Sequence, residues 1–175
     1  MADFGRLTLD WSRATSYGEF GLRLGAERQL RRDNADRSSR QYQTGASWNR
    51  MIGRGHALQG RIDVALNHQH VLSESPYIDR DETSLRLGYQ FARPMGAVQL
   101  GLWARETWTD YDYSPYLGGA RADRGRDLGV DLYLPKAEYM GFAPVVGLSR
   151  SQNHSDVSLF ERAETAVSLS LRSKF

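Results

Sequence analysis

The 175-residue chain is 40% hydrophobic and 25% charged, with mean hydropathy −0.58 and no cysteine, which excludes disulfide frameworks and thiolate metal sites. Its 23 basic and 21 acidic residues leave a formal net charge of +2 and alternate along the sequence, unlike the single basic stripe of a nucleic-acid-binding protein. No window approaches the roughly 18 consecutive apolar residues of a membrane-spanning helix, and the opening Met1–Trp11 lacks the basic and apolar regions of a signal peptide, so a mature form or a piece of a longer chain is expected.

Nine segments instead alternate apolar with other residues at period two, the signature of strands with two different faces. In chain order the first, about Phe4 to Arg13, carries Leu7, Leu9 and Trp11 on one parity. The second carries Phe20, Leu22, Leu24 and Ala26; the third Tyr42, Ala46 and Trp48; the fourth Leu58, Ile62, Val64 and Leu66. The fifth sets Leu85, Leu87, Tyr89 and Phe91 against Ser84, Arg86, Gly88 and Gln90. The sixth has Val98, Leu100, Leu102 and Ala104, and the seventh opposes Leu128, Val130, Leu132 and Leu134 to Asp127, Gly129 and Asp131. The eighth has Phe142, Val146 and Leu148, and the ninth opposes Val167, Leu169 and Leu171 to Glu164, Ser168, Ser170, Arg172 and Lys174. No helical period and no linker interrupts them, so one domain over 1–175 is expected.

A soluble β-sandwich alternates in the same way, and two features favour a transmembrane β-barrel of the outer-membrane type. The connections read as short around 15–17, 52–55, 93–96 and 136–138 and as long and polar at 31–40, 67–80, 109–124 and 152–161, the sorting expected of periplasmic turns and extracellular loops. On the short-turn side the apolar parity also holds Trp11, Phe20, Trp48, Tyr89, Phe91, Phe142 and Phe175, as an interfacial girdle would. The other parity carries Arg61, Asp63, Arg86, Arg105, Asp127, Asp131 and Arg172, too many charges for a packed core, and so reads as a hydrated lumen. Val167, Leu169, Leu171 and Phe175 form a barrel-closing C-terminal signal. Nine is an odd number, whereas bacterial single-chain barrels have even counts. The chain is therefore expected to be the C-terminal part of a larger barrel, completed by upstream strands or a partner chain.

The run Arg121–Asp127, the strand Leu128–Leu134, Gly141–Val146, Arg150–Ser155 and the closing Arg162–Phe175 resemble the C-terminal barrel of the surface lipoprotein assembly modifier family. The likeness covers about a third of the chain, strands one to six matching only as generic barrel strands. The resemblance implies a fourteen-stranded outer-membrane barrel, preceded by periplasmic tetratricopeptide repeats, that moves surface lipoproteins or related soluble cargo outward. This chain departs from that pattern in showing no repeats and nine strands, and in having Ser173 at a position often aromatic.

The expected function is therefore the barrel part of a translocation device delivering lipoproteins or small proteins to the cell surface. The alternative is a passive porin-like, structural or polysaccharide-export barrel. No Ser/His/Asp constellation stands apart, so neither catalysis nor a cofactor is expected. His68 and His70 share a parity but have no obvious third ligand, and a rim histidine pair is the plainer reading than a metal site. Arg31, Arg32, Arg124 and Arg126 fall on the outward side, where guanidinium suits the phosphates of lipopolysaccharide as well as it serves loop solubility. Expected partners are thus outer-membrane lipid, lipopolysaccharide and protein cargo, with no nucleic acid.

Overall fold

In a computed structural model, residues 2–31, 38–53, 55, 59–75 and 77–173 are described. They form one nine-stranded antiparallel sheet in which every strand pairs with its sequence neighbours. The strands are β1 (Ala2–Thr15), β2 (Gly18–Arg31), β3 (Ser39–Ile52), β4 (Gly60–Ser73), β5 (Arg80–Phe91), β6 (Gln99–Ser114), β7 (Gly119–Tyr133), β8 (Phe142–Ser155) and β9 (Arg162–Ser173). A 3-10 turn, Ser158–Phe160, lies between β8 and β9. The sheet is open, with β1 and β9 as its edges.

Register puts the alternating residues where the pattern requires. Leu9 faces Leu24, Leu22 faces Ala46, Leu66 faces Leu85, Leu102 faces Val130, and Val146 faces Leu169. One continuous apolar belt results, and it is not buried: Leu9 is 65% exposed, Leu128 60% and Leu169 74%. Among the described residues only Val71, Ala143 and Val145 are buried hydrophobics, so no conventional core exists. An uncovered apolar surface of this extent costs about 25 cal/mol per Å² in water.

The belt does not follow the hydrogen-bonded rows. The row that starts at Trp11 passes through Leu22, Ala46, Leu66 and Leu85, then meets Glu106, Arg126 and Gln152 and ends at Ala163. On β9 the apolar run is Val167–Leu171, so the belt border has moved eight residues, from Ala163 to Leu171, over the eight neighbour pairs. The drift is one residue per strand.

The expected sorting of loops is corrected. The connections on one side, 16–17, 53–59, 92–98 and 134–141, are not shorter than those on the other, 32–38, 74–79, 115–118 and 156–161. Two of the four polar segments expected as long loops, 67–80 and 109–124, are mostly strand, and β6 and β7 carry the ladder to a pair at Ser114 and Gly119. Thr107–Tyr113 is rich in Thr, Trp and Tyr, which favour strands whether or not the neighbours are polar. The asymmetry persists as polar strand overhang, since β6 continues ten residues past Ala104 while β1 ends at Thr15, four residues past Trp11. Strand one is likewise longer than the expected Phe4–Arg13, running from Ala2 to Thr15.

Candidate functional site

All seven charges expected on the second parity share the face opposite the belt, and the sheet curls around them. One cleft of about 350 Å³ is lined by Asn49 of β3, Arg61 and Asp63 of β4, Arg86 of β5, Asp131 of β7 and Arg172 of β9. A cleft shared by β3 and β9 requires the charged face to be the concave one. Arg105 and Asp127 lie beyond that cleft and pair with each other at 3.3 Å.

Glycine makes this curvature possible by letting side chains from the next strand lie flat. A Cβ on Gly129 would overlap the Trp103 indole, and one on Gly88 would overlap the Asp63 carboxylate. Trp103 in turn takes the Arg86 guanidinium at 5.4 Å and that of Arg105 at 6.0 Å from its ring centre, and Arg172 lies 4.8 Å from the Tyr133 ring centre. Arg61 and Asp63 approach to 3.6 Å, and the Ser151 hydroxyl donates to Asp127 at 2.6 Å. The face is a partly exposed lattice of alternating charge and aromatic platforms. Such exposed pairs contribute little to stability each, but together they present both charge signs to whatever occupies the concavity.

At the overhang end the concave face is capped. The Arg121 guanidinium lies between the rings of Tyr111 and Phe160, 3.8 and 3.9 Å from their centres, and pairs with Asp123 at 3.1 Å. Both charged side chains are only 10% exposed. The Asn153 amide donates to the Phe160 carbonyl at 2.8 Å, and the Ala122 N–H to Asp156 at 2.9 Å, so the turn after β8 is folded back over β6 and β7. Taken as part of a long polar loop at 109–124, Arg121 gave no sign of this aromatic sandwich; the Tyr and Phe residues flanking the polar turns were the available signal.

The belt face carries the remaining candidates. Trp11, Phe20, Trp48, Tyr89, Phe91 and Phe142 share its parity at the end of the sheet that carries the 16–17, 53–59, 92–98 and 134–141 connections. Beyond the belt on the overhang side, Glu106 accepts from Arg124 at 2.5 Å and Arg126 at 3.2 Å. His68 and His70 are brought to one carboxylate that sequence spacing did not reveal: Asp81 lies 2.6 Å from His70 and 3.7 Å from His68. Val167, Leu169 and Leu171 lie exposed on β9. Arg32 and Phe175 lie outside the described residues, as do Leu58 and Lys174, and Arg31 is described only as the backbone end of β2.

Comparison with family models, curated proteins and solved structures returned no match.

Proposed function

We propose that this chain is the C-terminal part of an outer-membrane β-barrel whose charged concave face lines the route by which lipoproteins or small proteins reach the cell surface. The observation that carries the membrane part is the drift of the belt across the register. One residue per strand, at about 3.3 Å rise and about 4.8 Å strand spacing, makes a level belt only if the strands tilt by about 35°, the range of outer-membrane barrels. A sandwich has no reason to hold its apolar residues level with an external plane. The strand lengths of 12 to 16 residues also exceed the roughly 9–11 that a tilted strand needs to cross a bilayer.

Closure supports the larger barrel. With nine antiparallel strands, β1 and β9 run in the same direction, so an all-antiparallel wall needs an odd number of further strands between them. The fourteen-stranded barrel of the surface lipoprotein assembly modifier family, which the last third of the chain resembles, would supply five. Either edge left open to lipid would cost several kcal/mol per unpaired group. Cargo transport is favoured over passive diffusion by the concave face, which opposes charges of both signs and aromatic rings rather than one selective sign.

The test is deletion of the gene, with surface lipoproteins measured by protease shaving of whole cells. Loss of surface exposure at unchanged total lipoprotein is expected. Unchanged exposure with reduced small-solute uptake or lost surface polysaccharide would move the function to the passive or polysaccharide-export alternative.

A further inference from the structure

We infer that the outward rim of the belt holds a binding site for a phosphorylated lipid, built on Arg124, Arg126 and Arg150 around Glu106; this rests on the outer-membrane reading above. Arg150 stands opposite Leu128 and Thr165, on the same parity as Arg124 and Arg126. It was not among the candidates visible in the sequence. A groove of about 360 Å³ joins Arg126, Arg150 and Glu106 to Leu85, Leu87 and Leu128. Glu106 pairs with Arg124 and Arg126, while Arg150, which lines the same groove, has no ion pair among the described residues, so three guanidinium groups face a single carboxylate.

The chemistry selects the ligand. A surplus of guanidinium with planar paired donors suits phosphate monoester oxygens, which Arg binds bidentately. The cations also stand directly at the border of bare apolar surface, and Trp108 faces Arg124 there as an interfacial aromatic would. A soluble anion would use the cations and leave the Leu85, Leu87 and Leu128 strip uncovered. A lipid with phosphate on its headgroup uses both, its acyl chains descending over the strip, as basic pockets at membrane borders do for anionic lipids. Glu106 then acts as the internal competitor, holding two of the guanidiniums in place until phosphate displaces it.

The probe is bisphosphorylated lipid A, titrated into the full-length protein in neutral-lipid nanodiscs and counted by native mass spectrometry. Arg126→Gln with Arg150→Gln is expected to weaken binding tenfold or more, and dephosphorylated lipid A should bind the wild type equally weakly. Glu106→Gln should bind severalfold tighter, an outcome that a merely structural role for the cluster would reverse. Equal binding by wild type and the double variant, or full competition by millimolar inorganic phosphate, overturns the lipid site while leaving the barrel reading intact. If the wild type itself is stripped from native membranes by alkaline or urea washing, both readings fall together.

Discussion

Trp103 of β6 and Gly129 of β7 are direct cross-strand partners, and the indole occupies the space that a Cβ on Gly129 would need. Gly129→Leu should therefore force the ring off its seat and cost about 1–3 kcal/mol, the usual penalty for overpacking. A lower denaturant midpoint of the folded protein, followed by circular dichroism, would report it. Trp103→Ala combined with Gly129→Leu should recover much of the loss, and full-strength folding of Gly129→Leu alone would contradict the close packing.

Val130 and Asp131 are neighbours in sequence on opposite faces of β7, and Val130 occupies the middle of the belt between Leu102 and Leu148. If the belt faces hydrocarbon as proposed, Val130→Arg places a cation at the level of the bilayer centre, for which about 2–4 kcal/mol of destabilisation is expected. Asp131→Asn, on the charged concave face, should change stability little. Similar stability for both variants in lipid vesicles would mean that the belt does not contact hydrocarbon.

Arg121 holds the turn after β8 through two rings and a largely covered ion pair. Arg121→Lys keeps the charge but loses the planar stack, an exchange that is not conservative at such a site. A stacking contribution on the order of 0.5–2 kcal/mol should be lost. The expected sign is faster proteolytic nicking within 156–161 of the folded protein, and an unchanged cleavage rate would show that the sandwich does not secure the turn.

The sequence revealed the strands and their faces because a two-residue period is local: Leu85, Leu87 and Tyr89 against Arg86 and Gly88 needs no tertiary information. Strand ends were less legible. Polar stretches such as Thr107–Tyr113 continue as ladder when the partner strand is also polar, and polarity alone suggested loop. What joins distant residues lay out of reach of spacing: Asp81 reaching His68 and His70, Phe160 closing on Arg121, and Arg150 entering the Glu106 groove all depend on register and curvature. The drift of the belt could have been suspected only after the register was known, because each strand separately shows its apolar run but not its height.

The open edges give the last expectation. β1 and β9 run in the same direction at the two ends of the sheet, and every other neighbouring pair is antiparallel. Direct pairing of the two would put one parallel ladder in an otherwise antiparallel wall, whereas an odd number of intervening strands keeps every neighbour antiparallel and brings the total to an even count. Leu9 and Leu169 mark the belt centre on the two edges, and the chain has no native cysteine to interfere. Leu9→Cys with Leu169→Cys, in the full-length protein in its native membrane, should therefore give no disulfide on oxidation, because the Cα atoms of a disulfide must come within about 7 Å. Leu9→Cys with Leu24→Cys, cross-strand partners within the sheet, should crosslink readily and serves as the control. Efficient crosslinking of the first pair would show a wall sealed between β1 and β9, and with it a small self-contained barrel in place of part of a larger one.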